Sequence, residues 1–325
     1  LGRRESYLEA VHRGEQMHRA RFRSALGRRL SLWDGTRDAD PGDRRLLAEL
    51  LDDVTLDDAL GGAFAAVGAK WVLPSMRSLQ FGGEAIRRHP ARMFNCAFSP
   101  ADRPAFFGEF FYLLLAGTGC GFSVQREHVE RLPVLPPRGP SGRRPVRRVI
   151  ADSIEGWADA LHELIRAHYE DFVVEFDYTA LRPRGAPLAT AGGRAGGPDA
   201  LRRALGDVTL LLTRAAGRRL RPVEVYDLCM FVARAVLGSG RRSASICLFS
   251  ADDAEMLQAK TGDWQERQPQ RAASNNSAVI LRSAADEAQF RQGLRACRSH
   301  GEPGFYFSDD PDYGCNPCGA AGLHP

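Results

Sequence analysis

From Met93 onward, short apolar segments alternate with helical ones, and this alternation restrains the fold more than any other feature of the chain. Strands separated by helices pair in parallel, because parallel neighbours need a crossover of a dozen or more residues. Strand candidates fall at Met93–Phe98, in the glycine turn and strand that run from Gly117 to Val124, at Phe172–Phe176, and at 243–249, 277–282 and 304–307. Helical patterns occupy Phe106–Ala116, Ser153–Tyr169, 199–216, 222–237 and 284–297. Residues 131–148, rich in Pro and Arg, and the Gly/Pro segment Arg182–Pro198 read as loops. Ahead of this region, residues 5–30 read as a charged amphipathic helix and 44–67 as two more, with Leu46, Leu47, Leu50, Leu51, Leu60, Phe64 and Val67 at helical spacing. The chain therefore divides into a helical N-terminal region, 1–90, and an α/β region, 91–325.

Composition excludes several function classes. At 325 residues and 44% hydrophobic, the chain can bury a substantial core. Its net charge is +4, and 42 of the 44 basic residues are Arg (all but Lys70 and Lys260), a bias that reflects coding composition and gives no reason to expect nucleic-acid binding. Seven scattered cysteines, an odd number in a large chain, suit a reducing cytoplasm and not a secreted disulfide framework. No stretch approaches the length of a membrane-spanning helix, and no apolar core of a signal peptide follows Arg3 and Arg4.

Thiol chemistry is the strongest functional signal. Asp312-Tyr313-Gly314-Cys315-Asn316-Pro317-Cys318-Gly319 presents sulfur on a tight loop, since Pro sets φ and Gly tolerates positive φ. Cys315 and Cys318 also form a lone Cys-x-x-Cys, open to reading as half a zinc site or as a thioredoxin-like dithiol; no second pair completes a zinc site. Gly117, Gly119 and Gly121 allow close approach of a ligand to the backbone, or else mark a tight strand entry. Gly238-Ser239-Gly240-Arg241-Arg242-Ser243-Ala244 carries an Arg pair suited to bidentate phosphate contact, or simply solvated. Cys96, in an alternating strand pattern, is by default a structural core cysteine.

Taken in order, these segments resemble adenosylcobalamin-dependent (class II) ribonucleotide reductase, in particular the monomeric ribonucleoside-triphosphate reductase type. The resemblance runs over roughly residues 65–319. It rests on Leu73-Pro74-Ser75-Met76-Arg77, Asn95-Cys96, Gly117 to Val124 with Gln125-Arg126-Glu127 and Leu132-Pro133, Asp152-Ser153 with Gly156-Trp157, and Arg182-Pro183-Arg184-Gly185-Ala186. It continues through Gly192-Gly193-Arg194 with Gly197-Pro198, Arg241 to Ala244, Ala259 to Trp264, Asn275-Asn276-Ser277 and Asn316-Pro317-Cys318-Gly319.

The resemblance implies the first half of a ten-stranded α/β barrel with a helical N-terminal layer, threaded by a finger loop. It implies that Cys318, at the finger tip, becomes a thiyl radical through adenosylcobalamin and takes hydrogen from the ribose 3′-carbon. Asn316 would orient the substrate hydroxyls, and Cys96 would be one thiol of the reducing pair, restored by thioredoxin or a similar dithiol. Ser75, Asn95 and Gly119 fall where the family contacts its ribonucleotide substrate. Gly240, Arg241, Arg242 and Ser243 match the loop that couples a dNTP effector to substrate choice. Gln125–Tyr169 resembles the insertion of the monomeric triphosphate enzymes, which favours triphosphate substrates. The implied outcome is deoxyribonucleotide supply for DNA synthesis and repair, with no metal ligands assigned.

The family pattern is also broken in places. Ala320 stands where the family carries a Glu that takes the 3′-hydroxyl proton, and Cys315 replaces a non-thiol residue. The second redox cysteine, the substrate-phosphate loop and the second half-barrel lie downstream of the matched segments, so the chain reads as an N-terminal portion, truncated, split or frameshifted. No Asp-x-His-x-x-Gly motif is present, which leaves the corrin contacts unassigned. Two competing readings follow: an inactive nucleotide-binding remnant, or a dithiol redox or metal module centred on Cys315 and Cys318.

Overall fold

The computed structural model describes residues 5–33, 54–139, 144–188, 194–239, 244–319 and 322–323. It forms two compact units, Leu1–Met93 and Phe94–Pro325. In the first, helices α1 (Tyr7–Trp33) and α2 (Val54–Gly68) are followed by two short ones, α3 (Met76–Phe81) and α4 (Glu84–Arg88). Val11, Val67 and Leu79 form its core, with Tyr7 and Phe64 packed against them. Arg13 ties the layer together, donating to Glu5 at 2.7 Å and to the Leu79 carbonyl at 2.8 Å. Helices α3 and α4 are too short to show a period in sequence. Of the apolar positions anticipated over 44–67, Leu46, Leu47, Leu50 and Leu51 lie outside the described residues.

The second unit is built on a five-stranded, wholly parallel sheet in the order β1-β2-β5-β6-β7. Its strands are β1 (Cys96–Pro100), β2 (Gly119–Ser123), β5 (Ser245–Ser250), β6 (Asn275–Leu281) and β7 (Gly304–Ser308). The strand foreseen at Met93–Phe98 begins three residues later than expected, because Pro90–Met93 closes a 3₁₀ turn. Helix α5 (Ala105–Ala116) links β1 to β2 and carries several of the largest apolar side chains of the core. Its Phe106, Phe107, Phe111 and Leu114 are essentially inaccessible, and Phe110 meets Phe122 of β2 edge-on with ring centroids 5.1 Å apart. Burying four such rings removes several hundred Å² of apolar surface from water, on the order of 10 kcal/mol of gross stabilisation.

After β2 come a short helix, α6 (Arg126–Val129), and a separate parallel pair, β3 (Val146–Val149) with β4 (Val174–Asp177). The first of these strands corrects the expectation of a loop over 131–148. Its arginines are outward positions of a strand: Arg147 pairs with Asp177 at 3.0 Å and Arg148 with Glu163 at 3.1 Å. Between them, helix α7 (Ile154–Tyr169) starts where Ser153 accepts a hydrogen bond from the Gly156 N–H, a cap worth about 1 kcal/mol. Strand β4 starts two residues beyond the expected Phe172, because Asp171 turns the chain with φ +53. Helices α8 (Asp199–Arg214) and α9 (Pro222–Gly238) complete the layer. Glu224 closes a capping box at the start of α9, accepting from the Arg221 N–H at 2.9 Å and from Arg218 at 2.7 Å. Helix α10 (Ala254–Leu257), helix α11 (Trp264–Arg267) and helix α12 (Glu287–His300) lie between the last strands. Among the described residues, no helix is long and apolar enough to cross a membrane.

Candidate active site

The site begins with the period of β2. Its sequence, Gly-Cys-Gly-Phe-Ser, alternates faces: Phe122 packs on Phe106 and Phe110 of α5, while the glycines leave the opposite face bare. The last stretch of the chain lies on that bare face. Beyond β7, residues Gly314–Cys315 form β8, paired antiparallel with β9 (Gly322–Leu323). A Cβ placed on Gly121 would stand 1.9 Å from the Cys315 carbonyl oxygen, and one on Gly314 would stand 1.9 Å from the Phe98 ring. Neither position accepts a side chain while the finger lies there. The space beside Gly121, open in sequence to a ligand or a strand entry, is occupied by the chain's own backbone.

The finger seats itself through Cys315, which is buried with Leu248 and Val279 and flanked by Phe98, Ile246, Leu281 and Tyr306. The tip then turns: the Gly319 N–H donates to the Asn316 carbonyl at 2.9 Å, with Gly319 at φ +62. This turn brings Cys318 Sγ to 3.8 Å from Cys96 Sγ. Cys96 opens β1, and the neighbouring strand starts where the Gly119 N–H donates to the Asn95 carbonyl at 2.8 Å. Asn316 is buried and its side chain hydrogen-bonds Cys96. Burial pushes the Cys96 thiol above its ordinary pKa, against the pull of the Asn316 hydrogen bond, so it stays protonated at neutral pH. Cys318 is exposed.

Cys96, Asn95, Gly119, Asn316 and Cys318 are thus gathered at one end of the parallel sheet. Two sulfurs in contact can pass a hydrogen atom once one of them is a radical, or close to a disulfide of about 2.05 Å when an acceptor takes their two hydrogens. Ser75 lies in the N-terminal unit, exposed, immediately before α3. Gly240, Arg241, Arg242, Ser243 and Ala320 lie outside the described residues. Cys315 and Cys318 occupy different environments, one in an apolar cluster and the other exposed against Cys96, which weakens the reading of Cys-x-x-Cys as a dithiol. Among the described residues, no cluster of three potential ligands is placed to hold a metal ion. Cys120, Cys229 and Cys247 are fully buried, and burial raises all three thiol pKa values strongly.

One part of the site has no signature in the sequence. At the opposite end of the sheet His128, fully buried on α6, places Nε2 at 2.7 Å from Asp312 Oδ1 and Nδ1 at 2.8 Å from Ser123 Oγ. Gln125 donates to the Pro311 carbonyl at 2.8 Å. A single histidine on a four-residue helix has no pattern that announces a partner 184 residues away.

No protein-family model matches the chain. It is 28% identical to the adenosylcobalamin-dependent ribonucleoside-triphosphate reductase of Euglena gracilis, over 76% of this chain and 36% of that protein. It is likewise 28% identical to the enzyme of that name from Lactobacillus delbrueckii subsp. bulgaricus, over 77% of this chain and 43% of the relative. The fold matches a crystal structure of B12-dependent (class II) ribonucleotide reductase with a TM-score of 0.75 and 23% identity, over 98% of this chain and 51% of that one. The chain spans about half the length of the proteins it matches, or less.

Proposed function

We propose that this chain, a homologue of adenosylcobalamin-dependent ribonucleoside-triphosphate reductases with the class II reductase fold, carries the radical thiol and one reducing thiol for converting ribonucleotides to 2′-deoxyribonucleotides. The observation that carries the reading is the 3.8 Å contact between Cys318 and Cys96 at the tip of the finger. Cys318 is the hydrogen-abstracting sulfur. Its exposure suits a bulky cofactor reaching it, and adenosylcobalamin, when bound, would supply the one-electron chemistry that a thiol cannot start alone. Asn316 offers both a donor and an acceptor to neighbouring ribose hydroxyls. Cys96, held as a thiol by burial, is a source of hydrogen for the 2′-position and of one electron toward a disulfide. Asn95 and Gly119 line the substrate side.

The substrate is a ribonucleoside triphosphate, the reductant thioredoxin or a similar dithiol, and the setting a cytoplasm in which seven cysteines stay reduced. The loop containing Gly240, Arg241, Arg242 and Ser243 reads a dNTP effector. The remaining half of the barrel, with the second redox cysteine, completes the enzyme. In an intact reductase containing this chain, Cys318→Ser abolishes dNTP formation from NTP, adenosylcobalamin and dithiol; turnover persisting in that variant sinks the assignment.

One observation favours a second reading, in which the chain binds nucleotides without reducing them: Ala320 offers no ionisable group where a proton must be taken. Calorimetric titration with dNTPs, followed by assay with the remaining half supplied, separates the two. Binding without reduction selects the remnant.

A further inference from the structure

The network at the root of the finger can be solved for its protons. Ser123 Oγ accepts from the Gln125 N–H at 3.2 Å and from Gln125 Nε2 at 3.1 Å, which uses its lone pairs and leaves its own O–H to donate. The remaining neighbour is His128 Nδ1 at 2.8 Å, so Nδ1 accepts and the ring proton sits on Nε2, aimed at Asp312 Oδ1. Arg131 adds a longer contact to Asp312 at 3.4 Å and reaches Asp102 at 3.6 Å. Every donor has an acceptor, and the chain of bonds runs from the end of β2 to the residue at which the finger begins.

We propose that His128 and Asp312 are a positioning pair that fixes the register of the finger loop and so holds the Cys318 sulfur against Cys96. The pair shares this task with the Gln125 hydrogen bond to the Pro311 carbonyl and the Asn316 hydrogen bond to Cys96. The apolar seat of Cys315 is non-directional, and a two-residue strand pair slips at little cost. A slip of one residue would swap the faces of every finger side chain, taking Cys315 out of its cluster and Cys318 off Cys96. A buried imidazole with both nitrogens committed accepts only one position of Asp312. Cys318 lies six positions beyond Asp312, an extended reach of about 20 Å, comparable with the length of the five-residue strands they traverse.

The inference rests on the reductase reading only for its purpose, so its test avoids turnover. In the 325-residue chain, the rate of Cys96–Cys318 disulfide formation with diamide is mapped by mass spectrometry, with thermal unfolding recorded for each variant. The unmodified chain cross-links readily. Asp312→Ala slows cross-linking about tenfold, the population change produced by losing one charge-assisted hydrogen bond, whereas Asp312→Asn, whose amide oxygen still accepts from Nε2–H, stays within about twofold. Ser123→Ala, which removes the tautomer-setting hydroxyl from a site it leaves otherwise filled, also slows it severalfold and serves if Asp312→Ala does not fold. Native cross-linking in folded Asp312→Ala or Ser123→Ala, equal loss in Asp312→Ala and Asp312→Asn, or no cross-link in the unmodified chain overturns the proposal.

Discussion

The two faces of the central sheet solve opposite problems with the same strands. The helix-covered face is filled by Phe106, Phe110, Phe122 and their neighbours, and its cysteines, Cys120, Cys229 and Cys247, are sealed from solvent. The finger-covered face is stripped down: Gly121 yields its Cβ space to the Cys315 carbonyl, and the thiols at its rim, Cys96 and Cys318, meet each other. Packing gives one face its stability, and the bare glycines of β2 give the other the room that brings its thiols together. A thiol that must react has to stay within reach, and burial in the packed face closes access to Cys120, Cys229 and Cys247.

Thiol labelling tests the contrast most severely. Cys318 reacts with an exposed-thiol reagent under native conditions, while Cys229 and Cys247 react only through unfolding, slower by about a thousandfold or more for a domain of ordinary stability. Comparable rates would erase the distinction between the faces. Phe122→Ala, on the packed face, lowers unfolding free energy by about 3–5 kcal/mol in chemical denaturation, since it opens a cavity against two rings. Gly121→Ala, on the bare face, costs about 1–3 kcal/mol and exposes Cys315 to labelling, because the added methyl and the Cys315 carbonyl cannot share the space. A Gly121→Ala chain with Cys315 still protected would show that the finger does not need that glycine.

The smallest effect concerns the frame beneath both faces. Burial alone would raise the Glu224 carboxyl, but hydrogen bonds from Arg218 and the Arg221 backbone and side chain overcome it and bring the pKa down from 4.5 to about 2. A depressed carboxylate contributes stability that is complete above 4.5 and is lost as pH falls toward about 2. Glu224→Gln therefore lowers unfolding free energy by on the order of 1 kcal/mol at pH 7, allowing for screening of its half-exposed arginine partners. That difference shrinks as pH falls from 4.5 through about 2 and vanishes below it; a difference independent of pH would assign the cap to packing instead.

Period and punctuation made most of the fold legible. The helices over Phe106–Ala116, Ser153–Tyr169 and 222–237 and the strands at 243–249, 277–282 and 304–307 are near their expected bounds, because one buried face per element writes a repeat into the residues. Strand β3 escaped because its middle residues are arginines that satisfy partners on β4 and α7, and no local pattern separates a paired arginine from a solvated one. In the site, Cys318 and Asn316 were legible through the loop chemistry of Asn, Pro and Gly and through the resemblance carried by their neighbours.

What the sequence alone determined is therefore local: which segments bury a face, where the chain must turn, and which sulfur stands at a tip. Tertiary structure decided the pairings. Only folding brings Cys96 within 3.8 Å of Cys318, lays the Cys315 carbonyl over Gly121 and sets His128 against Asp312, because these contacts join residues 184 to 222 positions apart and no local period can encode such a distance. Cys315 and Cys318, three positions apart and alike in chemistry, end in opposite environments for the same reason: alternation across a strand points one into the sheet and the turn at Gly319 carries the other to its rim.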